Sequence, residues 1–142
     1  MNGQVSPDSL ITFAKLQLGI PYKYTGICPN TGFDCSGFVK YVFTHFGVDV
    51  PRASMDYEKT GNLVSIDSLR KGDILVFTGT NAEIRKPGHV GIVAEVTEQE
   101  VYFIHSSSGK KNGGVVITNF TNSSNYKKRY LKAIRLNEVL KT

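Results

Sequence analysis

The sequence contains no long apolar run and only two cysteines. No apolar stretch approaches the roughly 18 residues that a membrane-spanning helix requires, so the sequence predicts no such helix. The first residues, MNGQVSPDSL, have neither a basic leader nor an apolar stretch, so they do not read as a signal peptide. Cys28 and Cys35 are too few for a disulfide framework, and no four Cys or His residues cluster at zinc-site spacing. These absences argue against a disulfide-rich scaffold and a structural zinc domain.

Size and charge narrow the class further. A chain of 142 residues has room for one domain with one core, and we take residues 1–142 as that domain. The 17 basic and 12 acidic residues give a net charge of +5. We interpret the basic clusters at Lys110–Lys111 and Lys127–Arg129 as solvated loop charges, with weak attraction to a polyanion as the alternative. No basic stripe interleaved with aromatic residues is present, so nucleic acid is not an expected partner.

Two segments in the first third of the chain have the pattern of amphipathic helices. Ser6 and Pro7 suit the N-cap and first turn of a helix that ends before Gly19. Asp34 suits the N-cap of a second helix, which Gly47 ends. In that helix, apolar residues follow at helical spacing: Phe38, Val39, Val42, Phe43 and Phe46. Cys35 is therefore predicted in the first turn, on the packed side.

The second half of the chain has the character of strands. Five segments are rich in Val, Ile, Tyr and Phe and are separated by short polar or Gly-rich turns: DILVF, HVGIVAEV, VYFIHS, GVVIT and RYLKAIRL. Short connections favour antiparallel pairing. Helices first and strands second predict an α+β fold, with helices packed on one face of an antiparallel sheet of about five strands.

The position of Cys35 favours a reactive thiol. A thiol ionises more easily at a helix N-terminus, and the free N–H groups there can also bind the oxyanion formed by attack on a carbonyl. Cysteine is also among the most buried residue types, so inert packing is the competing interpretation. A catalytic role for Cys35 requires a base.

Three histidines are candidates for that base. His45 lies near the C-terminal end of the same helix, where the helix dipole explains it. His89 begins one predicted strand and His105 ends the next, so a hairpin brings both to one end of the sheet. The simplest register leaves them about three residues out of line, and a bulge or a longer turn would close the gap. Two half-buried strand histidines without a catalytic role are the alternative.

Taken together, these residues resemble the NlpC family of bacterial cell-wall cysteine peptidases, which have a papain-like fold. The matching segments occur in the family's order and cover roughly residues 10–106: LGIPYKYTG, GFDCSGFVKYVF, VPRAS, LRKGDILVF, HVGIVAEV and FIHSSS. The resemblance implies that Cys35 is the nucleophile, His89 the base and His105 the polar residue that orients His89. It also implies that the hydroxyl of Tyr24 helps to hold the oxyanion.

The resemblance further implies a substrate and the residues that bind it. In family members that require a free N-terminal amine, residues matching Asp34, Ser36 and Ser54 bind it, and Arg52 lies in the same PRAS segment as Ser54. An N-cap role explains Asp34 equally well. The implied reaction is hydrolysis of a peptidoglycan stem peptide between D-γ-glutamyl and the diamino acid, either diaminopimelate or Lys. We expect no metal or organic cofactor, a monomer, and action on the bacterial cell wall, in the periplasm, after secretion or after delivery to another cell. A cytoplasmic recycling role is the alternative.

The sequence departs from the family pattern at three places. Thr25-Gly26 stands where many members have two glycines, and Asp56-Tyr57 stands where many have a Gln. The basic loop TGTNAEIRKPG before His89 is longer than expected and is a candidate substrate wall. Two alternatives to a peptidase follow: an inactive wall-binding module, and a related thiol amidase or acyltransferase acting on another substrate.

Overall fold

The two predicted helices begin at their predicted caps. The computed structural model describes residues 3–109 and 113–141. Helix α1 spans Pro7–Lys15, and the Ser6 side chain accepts a hydrogen bond from the backbone N–H of Ser9. Helix α2 spans Cys35–His45, and its N-cap is Asp34. Both helices form because their caps satisfy free N–H groups and their apolar faces are buried. Within the described residues, no helix has the length and the apolar character that crossing a bilayer would take.

A six-stranded antiparallel sheet forms the second layer. Its strand order is β3-β8-β4-β5-β6-β7. The bounds of its strands are β3 Asn62–Val64, β4 Ile74–Thr78, β5 Pro87–Val96, β6 Val101–Ser107, β7 Gly114–Asn119 and β8 Tyr130–Arg135. Five of these are the predicted strands; the sixth, β3, is a short and mostly exposed edge strand that pairs with β8. The predicted α+β architecture is therefore confirmed, with one more strand than expected.

Short elements fill the connections. A small hairpin, β1 (Ile27–Cys28) with β2 (Gly32–Phe33), leads directly into α2. One 3-10 helix spans Ser54–Lys59, and a second spans Ile66–Ser68. These elements place the loops before and after α2 at one end of the sheet.

Helix α3 (Ser124–Arg129) corrects the interpretation of one basic cluster. Residues 127–129 lie in this helix instead of a loop, and the side chain of Arg129 is buried. Its guanidinium donates to the carbonyl oxygen of Thr78 and lies 4.9 Å over the ring of Tyr126. Lys127 and Lys128 are exposed, as expected. The other predicted cluster, Lys110–Lys111, lies outside the described residues.

The sheet separates two apolar clusters. Helices α1 and α2 cover one face, where the side chains of Val90, Ile92 and Ile104 join the larger core. The opposite face carries a smaller cluster around Phe77 and Phe103. Successive residues of a strand point to opposite faces, so the residues next to Val90 and Ile104 face the smaller cluster. Those residues include His89 and His105.

Thr25 has the only positive φ among the non-glycine residues that the structure describes, at 61°. A β-branched residue is strained in this left-handed region, at about 1–2 kcal/mol. The glycine that many family members have in place of Thr25, before the glycine matched by Gly26, thus has a physical reason.

Replacing Thr25 with glycine should therefore stabilise the fold. Relief of the left-handed strain outweighs the extra entropy of an unfolded glycine, so we expect the free energy of unfolding to rise by up to about 1 kcal/mol. Urea denaturation of Thr25→Gly measures the change. Thr80→Gly, at an exposed loop position without a positive φ, is the matched control and should destabilise. Equal destabilisation by both substitutions would show that Thr25 is not strained.

Candidate active site

The thiol of Cys35 lies where helix α2 meets the start of strand β5. The side chain is in the first turn of α2 and is 8% exposed. Its Sγ atom lies 3.4 Å from Oγ of Ser54 and 3.7 Å from the carbonyl oxygen of Gly88. The free N–H groups of the helix and its positive dipole end favour negative charge at this point. The thiol is thus held between the helix N-terminus and the residue that precedes His89.

The carboxylate of Asp34 organises the residues around Cys35. It accepts a hydrogen bond from the backbone N–H of Gly37 at 2.6 Å, which makes Asp34 the N-cap. It also pairs with both terminal nitrogens of Arg52, at 3.1 and 2.8 Å. The hydroxyl of Ser36 accepts from Arg52 at 3.0 Å. A bidentate pair holds both side chains in one orientation. The carboxylate of Asp34 therefore joins the start of α2 to the PRAS segment.

The four predicted substrate-binding residues all lie close to the start of α2. The structure brings Asp34, Ser36 and Arg52 into one hydrogen-bonded group, and Ser54 contacts the thiol itself. Ser36 is buried and Asp34 is already engaged by Arg52, so an incoming amine would share the carboxylate with the guanidinium. Both roles considered for Asp34 therefore remain compatible with its contacts, and the N-cap role is observed.

The imidazoles of His89 and His105 are in direct contact. Nε2 of His89 lies 2.8 Å from Nδ1 of His105, and Nε2 of His105 lies 2.8 Å from Oγ1 of Thr118. His105 is 0% exposed. Nδ1 of His89 has no hydrogen-bond partner in the described part of the chain, and it is not among the fully buried unpaired atoms. This nitrogen is therefore the one that can exchange a proton at the site.

A bulge in the β5–β6 pair explains how the two histidines meet. Near the turn, Val96 pairs with Val101 and Glu95 with Tyr102; after the irregularity, Val93 pairs with Phe103 and Ile92 with Ile104. Continuing the first register would set His105 opposite Ile92, three residues from His89 and on the opposite face of the sheet. The bulge shifts the pairing by one residue, so His105 comes to the face of His89. The bulge, one of the two predicted ways to bring the histidines together, is thus observed.

Glycine at position 91 leaves room for this contact. A Cβ atom on Gly91 would lie 2.7 Å from Cδ2 of Phe103 and 3.0 Å from Cβ of His105. Gly91 lies between Val90 and Ile92 in the segment HVGI, on the face of the two histidines. The absence of a side chain there lets His105 pack across the strand next to His89.

The surroundings keep both imidazoles uncharged. The rings of Phe103 and Tyr126 lie against the pair, and Arg129 is buried nearby. Burial, and after it the positive charge of Arg129, lowers the pKa of His89 to about 3. Burial, with the charges of His89 and Arg129, also holds the pKa of His105 well below its usual value. The resting site thus has a neutral His89, which can act as a proton acceptor.

No hydrogen bond joins Sγ of Cys35 to the ring of His89 among the described contacts. The thiol instead contacts the carbonyl group of Gly88, the residue immediately before His89. Catalytic hydrogen bonds often form only in the substrate complex, so the lack of this bond does not exclude proton transfer. His45, in contrast, stacks on Phe13 at the far end of α2, with ring centroids 3.7 Å apart.

The two tyrosines of the segment PYKYTG differ in their surroundings. Tyr24 is 81% exposed, and none of its side-chain atoms has a hydrogen bond in the described structure. Tyr22 is half-buried and pairs through its backbone with Phe33, two residues before Cys35. Burial, and after it the interaction with a negative charge on Cys35, raises the pKa of Tyr22. We therefore assign the oxyanion role to Tyr22 as a proposal; the segment PYKYTG offers two tyrosines, and its sequence does not choose between them.

Tyr57, one of the two residues that stand where many family members have a Gln, is buried and interacts electrostatically with Cys35. Its ring is 0% exposed, and its hydroxyl has no hydrogen-bond partner among the described residues. Burial and then the charge of Cys35 raise its pKa. The sequence identifies this position as a departure but does not predict its closeness to Cys35.

Neither a disulfide nor a group of metal-binding side chains is found in the described residues. Cys28 is a free thiol that contacts the hydroxyl of Thr31 at 3.3 Å, and no disulfide joins it to Cys35. Within residues 3–109 and 113–141, no group of three or more His, Cys, Asp or Glu side chains is arranged to hold a metal ion.

The buried histidines predict a fold that is less stable in mild acid. The unfolded chain protonates His89 near pH 6.5, whereas the folded chain does so near pH 3. Between these values the unfolded state binds more protons, so the free energy of unfolding falls as the pH falls from 6.5 towards 3. Going from pH 7 to pH 5 should lower it by about 2 kcal/mol for His89 alone. Urea denaturation at the two pH values measures this difference.

Variants separate this effect from general acid sensitivity. The double variant His89→Gln/His105→Gln should lose most of the pH dependence between 7 and 5. His45→Gln, at the exposed end of α2, should keep it. A pH dependence that is unchanged in the double variant would contradict the assignment.

Comparison with known proteins agrees with this geometry. The profile of the NlpC/P60 family matches residues 19–135. Among curated proteins, a gamma-DL-glutamyl hydrolase of Bacillus subtilis (strain 168) is 36% identical over 136 residues, covering 92% of this chain and 30% of the relative. The murein DD-endopeptidase MepS/murein LD-carboxypeptidase of Escherichia coli (strain K12) is 34% identical over 120 residues, covering 83% of this chain and 56% of the relative.

Solved structures share the fold. The crystal structure of an NlpC/P60 family protein from Bacillus cereus ATCC 10987 superposes with a TM-score of 0.78 and 30% identity, covering 93% of this chain and 40% of that chain. The present chain thus spans less than two thirds of the length of each of these three relatives. The profile match covers most of the chain, including Cys35, His89, His105 and the strands that carry the histidines. The chain belongs to the NlpC/P60 family.

Proposed function

We propose that this chain is a cysteine peptidase that hydrolyses an amide bond in peptidoglycan stem peptides, between D-γ-glutamyl and the diamino acid. One observation carries the proposal. The thiol of Cys35 lies at the N-terminus of α2 and contacts the carbonyl group of Gly88, the residue before the neutral His89. The names of the relatives, a murein endopeptidase and a gamma-DL-glutamyl hydrolase, support the substrate class. The proposed site of action is the bacterial cell wall, with the chain acting as a monomer.

The proposed reaction proceeds through a thioester. Nδ1 of His89 takes the proton from Sγ of Cys35, and the thiolate attacks the carbonyl carbon of the scissile amide. The N–H groups at the start of α2 and the hydroxyl of Tyr22 receive the oxyanion. His89 returns its proton to the leaving amine, and the C–N bond breaks. Water then gives a proton to His89 and attacks the thioester, which releases the acid and restores the thiol.

Substitution of the nucleophile or the base tests this proposal. Cys35→Ala and His89→Ala should each lower kcat/KM for a γ-D-glutamyl stem tetrapeptide by a factor on the order of 10⁴ or more, because neither half of the acid–base pair can act alone. Cys28→Ser and His45→Gln are matched controls from the same chain and should keep wild-type activity. Product masses from stem peptides and purified sacculi identify the bond that is cut. Wild-type turnover by Cys35→Ala would refute the proposal.

The same assays separate the two alternatives. An inactive wall-binding module would retain muropeptides without product, and iodoacetamide at neutral pH would leave Cys35 unlabelled. A thiol amidase with another substrate would release an acid and an amine from that substrate, or ammonia from a primary amide, and an acyltransferase would give a transferred acyl group; neither would cut the stem peptide into two fragments. The hydrogen-bonded group around Asp34, which the resemblance implies as the binder of a free N-terminal amine, favours the peptidase.

A second substrate is favoured by the charge beside the site. The loop before β5 and the segment around α3, residues 79–88 and 123–130, carry five basic residues and one acidic residue. Arg85 joins them, because its guanidinium donates to the carbonyl oxygens of Lys128 and Tyr130. We call the exposed side chains of Lys86, Lys127 and Lys128 the cationic surface. Lys86 precedes Gly88 by two residues, and Gly88 contacts Cys35, so a γ-glutamyl polymer with a free carboxylate on every unit is the second candidate substrate.

Charge reversal tests that second candidate. Lys127→Glu/Lys128→Glu should raise KM for poly-γ-glutamate about 10-fold at low salt, with kcat unchanged, because attraction is replaced by repulsion. The KM for an α-amidated, uncharged γ-glutamyl peptide should not change. Arg70→Glu/Lys141→Glu makes the same change in charge near the opposite end of β4 and is the matched control. If both double variants raise this KM equally, the change in net charge explains the effect. The cationic surface would then not be the binding site of the polymer.

A further inference from the structure

Thr118 is the last member of a row of three hydrogen-bonded side chains that begins at His89 and continues through His105. Strand β7 carries it opposite Phe103 of β6, next to the histidine strand. Its Oγ1 atom is 2.8 Å from Nε2 of His105, whose Nδ1 is 2.8 Å from Nε2 of His89. His105 is fully buried, whereas Thr118 is half-buried. The described side chains therefore offer Nε2 of His105 one polar partner, the hydroxyl of Thr118.

Two proton arrangements satisfy these hydrogen bonds when both rings are neutral. In the first, Nε2–H of His89 donates to Nδ1 of His105, and Nε2–H of His105 donates to Thr118. In the second, the hydroxyl of Thr118 donates to His105, Nδ1–H of His105 donates to His89, and His89 then carries its proton on Nδ1. A neutral imidazole has one donor and one acceptor nitrogen, so the two arrangements exclude each other. His89 can accept a proton from a thiol at Nδ1 in the first arrangement alone.

Proton transfer from the thiol also requires the first arrangement. When Sγ–H breaks and Nδ1–H forms on His89, the new imidazolium must donate its Nε2–H to an acceptor. Nδ1 of His105 can be that acceptor only when the proton of His105 is on Nε2. The Nε2–H group of His105 is then buried and needs a hydrogen-bond acceptor of its own. The hydroxyl of Thr118 can accept it and turn its own hydrogen towards solvent, because the side chain is half-buried.

We propose that Thr118 is a positioning residue for the proposed hydrolysis: by accepting a hydrogen bond from Nε2–H of His105, it keeps Nδ1 of His89 free to take the proton of Cys35. No proton moves along the chain of side chains. Thr118 acts by fixing the tautomer of His105, which in turn fixes that of His89. The inference rests on the proposed function for its kinetic consequence, while the tautomers can be measured without any substrate.

The test compares Thr118→Val with Thr118→Ser. Valine keeps the β-branched shape and removes the acceptor, whereas serine keeps the hydroxyl. Nitrogen-15 NMR of histidine-labelled protein at pH 7 should show Nε2–H on His89 and His105 in the wild type and in Thr118→Ser. In Thr118→Val the proton should move to Nδ1 of both rings. The same variant should lose about 10- to 100-fold in kcat with little change in KM, a loss of the size found when the outer partner of a metal-bound histidine is removed.

The outcomes are distinct. Thermal unfolding and the NMR spectrum show whether Thr118→Val is folded, and a loss of kcat in a folded variant with shifted tautomers supports the inference. Unchanged tautomers in Thr118→Val, or shifted tautomers with wild-type kcat, would overturn it. Failure of Thr118→Ser to restore both readouts would also overturn it, because the hydroxyl would then not be the active group. If wild-type protein cleaves no γ-glutamyl amide, the proposed function fails while the tautomer measurement still decides the role of Thr118.

Discussion

The contact between two buried imidazoles, 2.8 Å from Nε2 of His89 to Nδ1 of His105, is the interaction on which the site depends. It requires both side chains on one face of the sheet, which the bulge between β5 and β6 provides. It requires an open space between the strands, which Gly91 provides. It also requires uncharged rings, which the apolar surroundings and the buried Arg129 favour. The strand register, the glycine at position 91 and the electrostatic surroundings thus all favour the same contact between His89 and His105.

The other half of the site depends on a carboxylate. Asp34 caps α2 and pairs with Arg52, so one side chain fixes both the helix start and the segment that brings Ser54 to the thiol. The histidines belong to the sheet and the thiol belongs to the helix layer, and the carbonyl group of Gly88 is where they meet. A nucleophile and a base held by different layers can approach each other when substrate binds, without a change in either layer.

Local sequence chemistry predicts the parts of this structure that depend on neighbours along the chain. The cap at Asp34, the place of Cys35 in the first turn of α2 and the five long strands follow from capping, periodicity and residue type. Features that depend on distant segments are not predictable in this way. The register that joins the histidines and the burial of Arg129 in a helix of its own are decided by packing across the sheet. Such packing leaves no periodic signal in a single sequence.

The most direct test of the account is the capture of the covalent intermediate. An activated γ-D-glutamyl ester acylates a thiol faster than the thioester is hydrolysed, so rapid acid quenching and mass spectrometry can locate the acyl group. With Cys35 as the nucleophile, the peptide that contains Cys35 should gain the mass of one acyl group, Cys28 should stay unmodified, and the adduct should be lost in His89→Ala. Ester turnover with no acyl group on Cys35, or with the acyl group on Cys28, would contradict it.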